Sequence, residues 1–73
     1  MSEPLPILVE NSVQIAWDFL ERSGEISNAG EASQFLVRTV AELVRNGERR
    51  RLKLSNQAID AYRRHTSRFR LVS

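Results

Sequence analysis

The sequence predicts an all-α protein, a small three-helix bundle, and three observations carry that expectation. Three segments repeat apolar residues at the three- and four-residue spacing of an amphipathic helix. Glycines stand just beyond the first two segments, at Gly24 and Gly47, where a left-handed residue ends a helix. Asn28 and Ser55 stand where the second and third helices need a cap.

The first helix is expected over residues 7–23. At about 100° per residue, Leu8, Val9, Ser12, Val13, Ile15, Ala16, Trp17, Phe19 and Leu20 fall on one side. Glu10, Asn11, Gln14, Asp18, Glu21 and Arg22 fall on the other. Pro6 suits a first turn, where the missing N–H costs nothing. The apolar arc of this helix covers roughly 200°, wider than the stripe of about 100° that a surface helix needs. Gly24 ends it, and residues 25–28 form a short connector.

The second helix is expected over 29–46. Asn28 caps it and Glu31, three residues on, is placed to reach back to the cap. Ala29, Ala32, Leu36, Val37, Val40, Leu43 and Val44 share a face, opposite Glu31, Arg38, Glu42 and Arg45. Asn46 and Gly47 close the helix.

The third helix is expected over 55–68, with Ser55 as its cap and Leu54 packed on Ile59 as a hydrophobic staple. Its apolar face holds Ala58, Ile59, Ala61, Tyr62, His65 and Phe69. Residues 48–54 admit two readings. Arg51, Leu52, Lys53 and Leu54 alternate as in a short strand, with Ile7 to Val9 as the candidate to pair with it; the other reading extends the third helix.

Size and composition bound the rest. Seventy-three residues make one domain, 1–73, and an apolar fraction of 41% with 27% charged residues suits a folded chain. A chain this short buries only about 60% of its unfolded surface, so a staple or a partner subunit is a common support. Cysteine is absent and His65 is the only histidine, so neither a disulfide nor a structural metal is expected, and no cofactor is. The start of the chain has no basic n-region, and no stretch approaches the roughly 20 apolar residues of a membrane span. A cytoplasmic location without membrane insertion is the expectation.

Charge divides sharply along the chain. Residues 1–44 hold Arg22 and Arg38 against seven acidic residues, a net −5, and residues 45–73 carry +7, so the total of +2 conceals a polar molecule. Arg49, Arg50, Arg51, Lys53, Arg63, Arg64 and Arg68 are the candidate contacts for nucleic acid or an acidic partner, because a guanidinium matches two phosphate or carboxylate oxygens at once. The competing reading is a solvated face paired with Glu10, Asp18, Glu21 and Glu42. No helix-turn-helix spacing, zinc ligand set or paired RNA-binding aromatics supports the nucleic-acid reading.

Trp17 and Phe35 are the candidate interface residues, since Trp17 lies at the edge of its apolar arc beside acidic residues, Phe35 lies toward the polar face of the second helix, and aromatic anchors dominate binding surfaces. The competing reading packs each under a neighbouring helix. His65 reads as a core or boundary histidine, Ser55 as a cap rather than a nucleophile, and Asp60 as a helix-surface partner of Arg63 or Arg64. No small-molecule substrate is evident, and the three scattered glycines make no phosphate-binding loop. A basic helix lying on an anionic membrane is disfavoured by Ala58 and Ala61, which suit close packing better. The expectation is therefore a non-enzymatic module that binds another protein or a second copy of itself. A nucleic-acid-binding domain using the basic C-terminal half is the alternative.

Overall fold

Three helices form where the apolar periodicity requires them. A computed structural model of the chain describes the backbone over residues 4–72 and side chains over residues 4–66. Helix α1 spans Leu5–Arg22, α2 spans Ala29–Arg45 and α3 spans Arg51–Val72. Each packs against both others, giving a body of 46 × 23 × 18 Å. No helix among the described residues is long and apolar enough to cross a membrane.

The buried residues repeat every four positions. Leu8, Ser12, Ala16 and Leu20 run down α1; Ala32, Leu36, Val40 and Val44 run down α2; Leu54, Ala58 and Tyr62, with Ser55 and Ile59, run down α3. Rows at i±4 are the ridges by which helices interdigitate. Small residues in each row, Ser12, Ala16, Ala32, Ser55 and Ala58, leave room for Leu20, Leu36, Val40 and Leu54, which are fully buried. Each buried leucine contributes about 2 kcal/mol of transfer free energy.

Helix α1 begins two residues earlier than its pattern suggested, because Pro4 caps it and Pro6 sits in its first turn. Leu8 N–H donates to the Pro4 carbonyl at 2.9 Å. The two helix ends then follow one plan. Glu25 N–H donates to Leu20 O and Gly24 N–H to Glu21 O; in the same geometry Glu48 N–H donates to Leu43 O and Gly47 N–H to Val44 O. These are Schellman closures. Gly24 at φ 69° and Gly47 at φ 110° are the left-handed residues they need. Asn28 caps α2 as expected, its Oδ1 accepting from Glu31 N–H at 3.0 Å. The Glu31 carboxylate does not return to the cap: its Oε1 lies 3.8 Å from His65 Nε2 on α3.

The start of α3 corrects the reading from sequence. Residues 51–54 are helical, so no extended segment joins them to Ile7–Val9, which belong to α1. Ser55 is therefore no cap. It lies inside α3, fully buried, with its hydroxyl donating to Leu52 O at 3.0 Å. Leu54 is a core residue of the helix rather than a staple before it, and its N–H donates to Arg50 O at 2.9 Å. The physical cause is Glu48. Its Oε2 accepts the backbone N–H groups of Arg49 at 3.2 Å and Arg50 at 3.0 Å, which fixes the chain for a helical turn three to four residues earlier than Ser55. Arg, Leu and Lys at 51–53 are good helix formers and propagate it.

Candidate interaction site

The basic residues are the first candidates to place, and most are engaged within the molecule. Arg49 closes the end of α2, its Nη1 donating to Val44 O and, at 3.0 Å, to Glu48 O. Arg50 Nε lies 3.5 Å and Lys53 Nζ 3.8 Å from the Glu48 carboxylate. Glu48 is thereby held below its ordinary acid range, chiefly by the Arg50 N–H, against a smaller opposing effect of desolvation and with help from Lys53 and the Arg50 guanidinium. Arg63 forks onto Glu25, and Arg64 Nη2 meets Asp60 Oδ2 at 2.7 Å one turn away. Arg51 is exposed as the first residue of α3, and the side chain of Arg68 lies outside the described residues, as does that of Phe69.

The partners of these cations differ in part from those expected. Asp60 takes Arg64 as the helix spacing predicts, but Glu25 and Glu48 take Arg63, Arg50 and Lys53 in place of Glu10, Asp18, Glu21 and Glu42. Glu25 and Glu48 follow the left-handed glycines directly, because a Schellman closure turns its next residue back toward the bundle. The candidate cations fall in two places: a turn at residues 49–53 at the joint of α2 and α3, and a face at Arg63 and Arg64 more than two turns along the helix.

Phe35 is not a free anchor. It is half-buried between α2 and α3, edge-on to Tyr62 with ring centroids 5.8 Å apart and stacked on His65 at 4.7 Å. That contact, with the Glu31 carboxylate 3.8 Å from the imidazole Nε2, makes His65 a joint between these two helices. Phe19 stays 44% exposed, with the Arg63 guanidinium 5.2 Å from its ring centroid.

Trp17 is placed differently. It is half-buried against the core, and its outer side lines an open groove between α1 and α2 of about 510 Å³. Pro6, Val9, Glu10, Val13, Gln14 and Trp17 line it from α1, and Ser33 and Val37 line it from α2. Val37 was expected on the buried face of α2; it is 45% exposed, while the row Ala32, Leu36, Val40 and Val44 takes the core positions. The signal for this groove was present in the overwide apolar arc of α1. The opposing Val37 was hidden, because a wheel does not tell which edge of a stripe its neighbour covers.

Among the described residues, no group of three or more His, Asp or Glu side chains could hold a metal ion. No family model matches the chain, and no curated protein or solved structure is detectably similar to it.

Proposed function

We propose that this chain is a non-enzymatic protein-interaction module that receives an apolar side chain of its partner in the α1–α2 groove. The observation that carries this reading is the uncovered apolar wall of Val9, Val13, Trp17 and Val37, held on two helices whose opposite sides are locked in the core. Rigid aromatic anchors of this kind supply binding energy at small entropic cost. Glu10 and Gln14 offer polar contacts along the rim, as interface rims generally do.

The test is a photo-crosslinking side chain at position 37 of the full chain in its native cells. Discrete adducts that disappear when Val13→Asp is added support the groove. Adducts unaffected by Val13→Asp, or none at all, refute it.

Nucleic-acid binding is a second reading, favoured by one specific feature. Residues 45–53 carry five basic side chains against Glu48 alone, and the first turn of α3 has no acidic residue. Fluorescence anisotropy with short duplex DNA across a salt series tests it: phosphate binding gives a log–log slope near −4 if about four or five phosphates are neutralised.

A further inference from the structure

Leu52 is the most exposed large apolar side chain among the described residues, at 68%. It stands in the first turn of α3, between Arg51 and Lys53 and next to Arg49 and Arg50 in sequence. The turn is also rigid, since Glu48 holds the backbone N–H groups of Arg49 and Arg50, and Arg49 is tied to the end of α2. A leucine presented to water on an ordered, cationic turn is a preformed ligand, whose ordering cost has been met in folding.

The α1–α2 groove has the complementary character. Its floor is apolar and its one charged lining residue is Glu10. Glu10, Gln14, Trp17 and Glu21 fall on one face of α1 at three- and four-residue steps, so Glu21 continues this face one turn past Trp17, beyond the groove's own lining. Arg22 is the only basic residue of α1. The N-terminal part of the chain, residues 1–44, is net −5, and the part that bears Leu52 is net +7.

We propose that the groove's occupant is a second copy of this chain: the Arg50–Lys53 turn of one copy docks there, with Leu52 against Val13, Trp17 and Val37 and its cations over Glu10 and Glu21. The inference rests on the groove reading above and names its partner. Both halves of the contact are on one polypeptide, and their charges are opposite. The two surfaces differ, so the contact is head-to-tail rather than self-complementary.

Sedimentation equilibrium on the full chain tests this. The expected mass rises above 8.4 kDa with concentration. Association weakens about ten-fold or more between about 50 and about 500 mM salt, as the opposed charges are screened. Leu52→Asp and Val37→Glu each weaken self-association about ten-fold or more, because each spoils one half of the contact. Both positions are exposed, and an acidic residue in the first turn suits the helix dipole, so circular dichroism should be unchanged. Mixed together, the two variants should recover a one-to-one complex, since one keeps its groove and the other its turn. A mass of 8.4 kDa at every concentration in low salt overturns the proposal, as does association that Leu52→Asp leaves intact. A monomer that still gives groove-dependent crosslinks from position 37 overturns the second copy as occupant while leaving the groove reading standing.

Discussion

Arg63 and Glu25, 38 residues apart in sequence, meet in a two-pronged ion pair, Nε to Oε1 at 2.9 Å and Nη2 to Oε2 at 2.8 Å. The same guanidinium lies over the Phe19 ring. One side chain of α3 therefore ties together the last turn of α1 and the connector that follows it. The pair also raises the Arg63 pKa further above its already high value, chiefly through the hydrogen bonds to Glu25, so the guanidinium stays charged throughout the range in which proteins fold.

Replacement of Arg63 should lower the urea midpoint in a graded way. Arg63→Ala loses both prongs and the ring contact, whereas Arg63→Lys keeps the charge but not the fork, so the order is wild type, then Lys, then Ala. The effect is small, because half of the Arg63 side chain is in water. The decisive quantity is coupling: Glu25→Gln should cost less in an Arg63→Ala background than in the wild type. Urea unfolding followed by Trp17 fluorescence measures it, and additive effects would show that the pair contributes nothing of its own.

Glu48 should make the fold sensitive to acid. Its carboxylate is held below the ordinary value of 4.5 by the Arg50 N–H first, with Lys53 and the Arg50 guanidinium adding to it. A group with a depressed folded value binds fewer protons folded than unfolded, so stability rises with pH across that window. Its contribution is fully present above 4.5 and is lost as pH falls through the lower folded value. Thermal melts of wild type and Glu48→Gln should differ at neutral pH and converge in acid; a constant difference would mean that the carboxylate's charge is not what starts α3.

Ser12 should be improved by removing its hydroxyl. The residue is fully buried in the core row of α1, and its Oγ finds no hydrogen-bond partner among the described residues. An unsatisfied buried hydroxyl costs about 1–3 kcal/mol, and alanine is the better helix former, so Ser12→Ala should stabilise by about 1 kcal/mol. Chemical denaturation reads the change directly. Destabilisation by the same amount would reveal a partner for the hydroxyl.

The helices and much of the core were legible because burial follows a four-residue period that needs only local sequence to see. The row Leu8, Ser12, Ala16, Leu20 and the row Ala32, Leu36, Val40, Val44 both lie within the predicted stripes. So do the Asn28 cap and the closures at Gly24 and Gly47, whose geometry involves residues at most five apart. What was not legible depends on distant pairing. Glu25 finds Arg63 across the bundle, and Phe35 finds His65 on another helix. Neither leaves a mark in the spacing of its own segment. The start of α3 was misplaced for a different reason. The helix is nucleated by a glutamate lying before it that accepts from the two residues just after itself, and Ser55 offered a conventional cap signal in the wrong place.

The leucines at 52 and 54 make that correction measurable. On a strand, residues two apart face the same way and are buried or exposed together; on a helix they point about 200° apart. Here Leu54 is fully buried and Leu52 is 68% exposed. Leu54→Ala should therefore cost about 2–5 kcal/mol, the range for a large buried side chain whose cavity cannot fully collapse. That is a large share of the stability of a domain this small, at roughly 0.05–0.15 kcal/mol per residue. Leu52→Ala should stay within about 0.5 kcal/mol of wild type when measured in high salt, where charge-driven association is suppressed. Equal costs at the two positions would restore the extended reading of residues 51–54 and with it the pairing to Ile7–Val9. A large cost at Leu54 alone establishes the helical start, and with it the outward aim of Leu52 on which head-to-tail docking depends.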